Sequence, residues 1–418
     1  MCDALRDDPG GVTGSRERLE GAQPGVEVGD GVFDVQGGHN VSVDFAWQLR
    51  YPNFLGDARD YCSAVANQHA AARKAVAERC ASSLDDRSFR AAVLEAIQLA
   101  LPYDGYVWAL TDPASAVGVS PLAYLPGLDM RRLPNVILGK YASTVNRWTA
   151  MPAGACAGLV ATTGGDLGRS ALWRAVADEL PVVDVLSAVL RDRFGCWGFL
   201  DLWRFEGGAF TEADAQFLSS LLADLTVAQR TRVAQMFGQG PESVDDRGPA
   251  LVLLSDDLSL VTETPAAEQS LRRLLPTDPR DAPVPAAALN VAAQLLAHEG
   301  GVDTSPARAR MHSHGGAWVT LQAARLRSSD AMAASIAVSI DSTGLGDRLD
   351  VFSRAHGFTK RETEVVVELA RGDSTRLVAQ RLGLSEYTVQ DHLKNVFAKS
   401  ATSSRAELIA RASGSRTS

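Results

Sequence analysis

Residues 359–412 constrain this chain more than any other stretch, because helix starts and stops fall there at spacings that leave one arrangement. Thr359 and Glu362 stand in the S/T-x-x-E pattern, so a helix should begin at Lys360, with Val365, Val366 and Leu369 as its apolar face. Gly372 should end it, since glycine takes up the left-handed conformation past a helix without a Cβ penalty. Ser374 should cap a second helix with Leu377, Val378 and Leu382 inward, closed by Gly383. Only Gly383, Leu384 and Ser385 separate it from a third helix, Glu386 to about Lys399. Two helices meeting across so tight a turn make a helix-turn-helix. Ser404 and Glu407 repeat the capping pattern and should start a fourth helix through Leu408 and Ile409.

The third helix has two faces. Val389, Leu393, Val396 and Phe397 recur at helical spacing and should pack on the first two helices. Tyr387, Gln390, Asp391, Lys394 and Ala398 fall opposite, where side chains can enter a DNA major groove.

This stretch resembles the LuxR/GerE-type helix-turn-helix. The matches are carried by Thr359, Arg361-Glu362, Glu364-Val365, Gly372, Ala379, Leu382, Leu384-Ser385, Thr388-Val389, His392-Leu393, Lys399, Arg405 and Leu408. The resemblance implies an all-α four-helix domain that binds double-stranded DNA and regulates transcription. It puts the base-reading slots at Gln390, Asp391 and Lys394, and phosphate contacts at Arg376, Thr388 and Lys399. Two departures stand out. Ser400-Ala401 occupies the place of the family's Leu-Gly, which bears on how the last helix leaves, and the acid at Asp391 should narrow sequence choice.

The charge agrees. The net charge is −9, yet from Val351 onward 11 lysines and arginines face 7 acids. A basic tail on an acidic body suits a polyanion contact confined to the tail. Only 5 of the 41 basic residues are lysines, and this arginine- and alanine-rich usage resembles a GC-rich, actinobacterial genome.

A chain of 418 residues predicts about three domains. Residues 1–50 are glycine- and acid-rich without a sustained period and read as a disordered extension. Residues 51–84 read as helical. Residues 85–237 carry a helix with Phe89, Val93 and Ile97, a strand at Tyr106–Leu110, two further apolar segments around Leu122–Leu125 and Val182–Leu190, and then FGCWGFLDLWRFEGGAFTEADAQF from Phe194, which reads as a strand, a hairpin and a helix. Trp197 to Leu202 followed by Phe210 to Asp214 resembles the late strand and closing helix of a GAF domain, which implies a small-molecule pocket over the sheet. Residues 238–249 read as a linker. In residues 250–341, two short strands, helices and three strands resemble a PAS domain, although Thr264 stands where that family often has asparagine. Residues 342–353 read as a tether to the helix-turn-helix domain at 354–413. The expected class is therefore α+β multidomain: GAF-like and PAS-like antiparallel-sheet domains followed by the all-α tail.

Other chemistry finds little footing. No G-x-x-x-x-G-K-[ST] pattern, receiver-type acidic cluster, or nucleophile–base–orienter set stands out, so no catalytic residue is assigned and no enzyme is expected. His312 and His314 share a strand face without a third ligand, so no metal or cofactor is expected. Five scattered cysteines argue against a disulfide framework, and Cys196 reads as a core residue. Tyr103, Tyr106 and Trp108 are the candidates to line a ligand pocket. The helix from Glu212 to about Met236 carries a stripe through Phe217, Leu218, Leu221, Leu222, Leu225, Ala228 and Val233, longer than one sheet needs, which predicts a homodimer. With no eighteen-residue apolar run and with Asp3, Asp7 and Asp8 at the amino terminus, the expected location is the cytoplasm, with no membrane partner. The reading is a DNA-binding regulator acting on RNA polymerase and tuned by a ligand or partner. Two alternatives stay open. One is an adaptor that contacts polymerase or a sigma factor without reading DNA; the other is a sensor enzyme for a small metabolite.

Overall fold

The computed structural model describes residues 58–237, 248–274, 284–314, 316–326 and 335–414. The extension at 1–50 and nearly all of the 238–249 linker lie outside the described residues. Helix α1 (Ala58–Ala81) crosses the boundary between two units of the chain, which divide after Gln68; the contacts below belong to the second, His69–Ser418.

Asp85 starts helix α2 (Asp86–Gln98) by accepting a hydrogen bond from Ser88 N at 3.1 Å. Strands β1 (Gly105–Thr111) and β2 (Gly118–Tyr124) follow, then α3 (Leu133–Ala142), β3 (Cys156–Gly158), and the short helices α4 (Leu159–Thr163) and α5 (Ala171–Val176). Strands β4 (Asp184–Asp192) and β5 (Gly195–Arg204) and the long helix α6 (Glu212–Met236) complete the first sheet domain. The antiparallel sheet runs β2-β1-β5-β4-β3. Alternation along its strands divides two faces, because successive side chains in a strand point to opposite sides. Leu186, Ala188, Leu190, Leu200 and Leu202 join α2 and α6 in one core, and Val189, Cys196 and Phe199 join a second core on the other face. Cys196 is buried, as its strand position suggested, and burial raises its thiol pKa.

The stripe on α6 is not surplus. Phe217, Leu218, Leu221, Leu222, Leu225, Ala228 and Val233 are all buried within this chain. The sheet covers one side of the helix. On the other, His69 of α1 stacks on Phe217 at 4.4 Å, Arg73 Nε donates to Ser220 at 3.2 Å, and Arg232 reaches the carbonyls of Arg79 and Ser82. The excess that motivated dimerisation through this helix is therefore already buried inside one chain.

The second sheet domain holds β6 (Leu251–Leu254), β7 (Leu260–Glu263), α7 (Pro265–Leu274), α8 (Ala286–Glu299), β8 (Arg308–His312), β9 (Trp318–Arg325) and β10 (Ile336–Ser342). Its order, β7-β6-β10-β9-β8, repeats that of the first sheet strand for strand. Helix α8 packs on this sheet with one side and on α3 and β2 of the first domain with the other. That position explains its sequence, AAALNVAAQLLAHE: alanines let three neighbours approach closely, and Asn290 and Gln294 carry the polar contacts. Asn290 donates to Gly118 O at 2.9 Å, and a buried Arg147–Asp303 pair at 2.8 Å joins the two domains beside it.

Residues 342–353, expected to be a bare tether, mostly form helix α9 (Leu345–Ala355). Phe352 is the pivot. It sits edge-on to Phe237, at the end of α6, with ring centres 5.2 Å apart, and Phe237 stacks on Trp318 of β9 at 4.5 Å. Four further helices close the chain: α10 (Lys360–Ala370), α11 (Thr375–Leu382), α12 (Glu386–Ser400) and α13 (Arg405–Ser413). Their core runs through α9 into that of the first sheet domain. Gly357 has φ +68, a left-handed backbone conformation that calls for glycine.

Candidate nucleic-acid interface

The tail forms through local signals. Thr359 Oγ1 accepts from Glu362 N at 3.2 Å and Glu362 Oε2 accepts from Thr359 N at 2.7 Å, a reciprocal capping box. Ser374 and Ser385 cap α11 and α12 by accepting from Leu377 N and Thr388 N. Gly383 turns the chain between them at φ +63. Three details depart from the sequence reading. Leu377 is exposed, and Ala379 packs inward with Val378 in its place. Glu407 turns its carboxylate to Ser403 N and Oγ, both at 2.7 Å, so the last cap is one-sided. Ala401, where the resemblance expects glycine, is driven into the left-handed region at φ +51 as the C-cap of α12. Relieving that strain, set against the greater freedom of glycine in the unfolded chain, predicts that Ala401→Gly stabilises the tail by about 0.5–1 kcal/mol. The midpoint of chemical unfolding should rise; an unchanged or lower midpoint would contradict the strain argument.

Helix α12 presents one face to its own domain and one to solvent. Val389, Leu393 and Val396 are buried against α10 and α11. Tyr387 (78% exposed), Gln390, Asp391, Lys394, Asn395 and Ala398 are all exposed on the other side. Gln390 and Lys394 stand one turn apart, as do Asp391 and Asn395. Asn395 adds a side chain to this row that the family slots do not include; its spacing of four from Asp391 is the sequence signal for it. Among the described residues, no hydrogen bond or ion pair engages the side chains of Gln390, Asp391, Lys394 or Asn395.

The basic residues around this face are mostly spoken for. Arg371 and Arg381 pair with Glu368, Arg381 also with Asp373, Arg361 with Glu364 and Arg411 with Glu407. Arg405 donates to Asp373 O. Lys399, assigned to phosphate, is held on Glu362 at 2.6 Å. Burial raises the Glu362 carboxyl, and bonds from Lys399 and Thr359 more than reverse this, leaving it below its ordinary value. Thr388, also assigned to phosphate, is half-buried with its hydroxyl on Ser385 Oγ at 2.8 Å. Among the described residues of the tail, the cations without a partner are Lys360, Arg376 and Lys394. Lys360 joins the candidates, at the start of α10.

The aromatic residues assigned to a ligand pocket sit in the core. Trp108 is fully buried, edge-on to Phe89 at 6.1 Å, and the Tyr103 hydroxyl donates to Leu94 O at 2.8 Å. Tyr106 lies between Tyr103 and Tyr124, 6.1 Å from each ring centre. Over the opposite face of this sheet, a buried Lys140–Asp201 pair at 2.7 Å, with Ser187 on the same carboxylate, borders a cavity of about 10 Å³. That is room for about one water.

Residues 356–412 match the family described as bacterial regulatory proteins, luxR family, and form a LuxR-type helix-turn-helix domain. The chain is 46% identical over 57 residues to the transcriptional activator protein ExaE of Pseudomonas putida, which is 14% of this chain and 27% of that protein. It is 42% identical over 53 residues to the monoamine regulon transcriptional regulator of Klebsiella aerogenes, 13% of this chain and 23% of that one. The chain thus spans about a quarter of the length of these relatives. Among the described residues, no helix is long and apolar enough to cross a membrane.

Proposed function

We propose that this chain is a DNA-binding transcription regulator whose tail reads promoter DNA with α12 and acts on RNA polymerase. The exposed, unpaired row on α12, in a domain matching the luxR family, carries the proposal. Gln390 suits the edge of adenine, Lys394 suits guanine O6 and N7, and Asp391 can accept from a cytosine amino group. Arg376 and Lys360, exposed and unpaired at the starts of α11 and α10, suit phosphates, where they hold register without reading sequence.

The sheet domains serve as the input in this reading. Their shared strand order supports two related sensor modules, GAF-like and PAS-like, and α9 ties both to the reading head. A ligand tunes the output only if it binds one arrangement of these domains better than another.

Electrophoretic mobility shifts of the full chain on duplex DNA across a salt series are the test. Binding should weaken steeply with salt. Arg376→Ala and Lys360→Ala should each reduce affinity for all sequences alike and lower the salt slope by about one unit. Binding that ignores salt, or no binding at any salt, would leave the polymerase adaptor as the better reading.

A further inference from the structure

We infer that the cleft where the two sheet domains meet α9 binds a compact monoanion, an apolar body carrying one carboxylate. The cleft has a volume of about 260 Å³ and opens between α2, the end of α6, β8 and α9. Pockets for drug-sized molecules run to roughly 300–1,000 Å³, so this one suits a smaller metabolite. Met236, Met311 and Trp318 supply much of its apolar wall.

The charge comes from Arg232, which lines the same cleft. Arg232 is 4% exposed, and its guanidinium lies 3.6 Å over the Phe89 ring. Its Nη atoms donate to the carbonyls of Ala228, Arg79 and Ser82, and its Nε has no partner. Among the described residues, no carboxylate lies within ion-pair distance of it. The nearby acids are engaged elsewhere: Asp86 holds Arg90 and Gln229, and Asp85 caps α2. Arg310, also in the lining, is neutralised by Asp112 and Asp350. A buried cation without a counter-ion is costly, and an anion in the adjoining cleft offsets that cost. Trp318 Nε1, buried and unpartnered, is a further donor in the same wall. Arg87, at the exposed rim of the cleft, is another lining cation without a partner among the described residues, but solvent screens it; Arg232 is the buried one, and one buried charge fits one carboxylate better than a doubly charged phosphate.

The inference adds a ligand class to the sensing reading, yet its test reads ligand binding alone, so failure of DNA binding would leave it standing. The probe is sodium benzoate, added to the full chain carrying ¹³C at the methionine methyls. The Met236 and Met311 signals should shift saturably while that of Met151, outside the cleft, stays in place. Neutral benzamide, of the same shape, should bind at least about tenfold more weakly, because the charged form of the contact is lost. Arg232→Met should remove the preference for benzoate. Since Arg232 also holds Arg79 and Ser82, Trp318→Phe, which removes the indole N–H and keeps a smaller ring against Phe237, is the second variant and should weaken benzoate several-fold. Unmoved Met236 and Met311 signals, or equal binding of benzoate and benzamide to the wild-type chain, would overturn the inference.

Discussion

Replacing Arg310 by alanine should destabilise the folded chain by about 3–5 kcal/mol, the cost of leaving a buried charge without its partner. Asp112, in the turn after β1, is 2% exposed and belongs to the first sheet domain; Arg310, 6% exposed, belongs to β8 of the second. The pair is two-pronged: Arg310 Nε donates to Asp112 Oδ2 at 2.7 Å and Nη2 to Oδ1 at 2.9 Å, while Arg310 N adds a third bond at 2.8 Å. The remaining nitrogen, Nη1, crosses to α9, donating to Asp350 at 2.9 Å and to Asp347 O at 3.1 Å. One guanidinium thus joins both sheet domains to the helix that carries the helix-turn-helix tail.

Burial pushes the Asp112 carboxyl up, and Arg310 more than reverses this, holding it below the usual carboxylate range. A folded pKa below the unfolded one contributes stability that is present above about pH 4 and is lost as pH falls through the depressed value. Arg310→Ala should therefore lower the denaturation midpoint most near neutral pH, and less under strong acid. The double replacement Asp112→Leu with Arg310→Leu should recover much of the loss, since an apolar pair leaves no orphaned charge. Hydrogen exchange should show α9 losing protection in the single variant. Equal stability of Arg310→Ala and the parent chain would mean that this pair does not hold the junction.

On its preferred DNA, Lys394→Ala should cost about 1–3 kcal/mol, and Gln390→Ala a similar amount, each relaxing preference at one or two base pairs. Both side chains are exposed and bond to nothing within the described residues, so their removal should leave folding intact. Asp391→Ala should behave differently. An acid close to phosphates repels them, so its loss should strengthen binding to arbitrary DNA while reducing discrimination. Lys399→Ala separates the two roles that can be given to Lys399. Because Lys399 is held on the buried carboxylate of Glu362, its loss should lower stability as well as affinity, unlike that of Lys394. Fluorescence anisotropy on matched and scrambled duplexes, with unfolding midpoints alongside, distinguishes these cases.

The tail was legible because caps and glycine stops act over three or four residues. Thr359 with Glu362, Ser374, Ser385 and Gly383 do locally what the pattern says. The misreadings there are one-residue choices. Leu377 looked inward because it is apolar, but on so short a helix Val378 and Ala379 take the buried arc. Lys399 matches a family position, yet nothing near it in sequence announces that Glu362, 37 residues earlier, holds its ammonium.

The second sheet and strands β1 and β5 of the first were legible in outline from apolar runs and turn residues; β2 and β4 read only as apolar segments, and β3, three residues long in a glycine-rich stretch, gave no signal. What joins the domains was not legible. Asp112 and Arg310 lie 198 residues apart, and no periodicity links them. Helix α8 reads as a weakly amphipathic alanine segment, because being covered on opposite sides removes the polar face that marks a surface helix. The stripe on α6 suggested a second copy because the alanine-rich α1 gave no sign of covering it. The same distance in sequence hid the junction cleft, whose walls come from residues 85 to 351.

The most direct test of the account is the set of sequences that the full chain selects from a random duplex pool, compared with those selected by Gln390→Ala and Lys394→Ala. The parent chain should select one recurrent motif. Gln390→Ala should lose the preference at an adenine position, and Lys394→Ala at a guanine position, with the rest of the motif retained. A motif that survives both substitutions unchanged would show that this face of α12 does not read the bases.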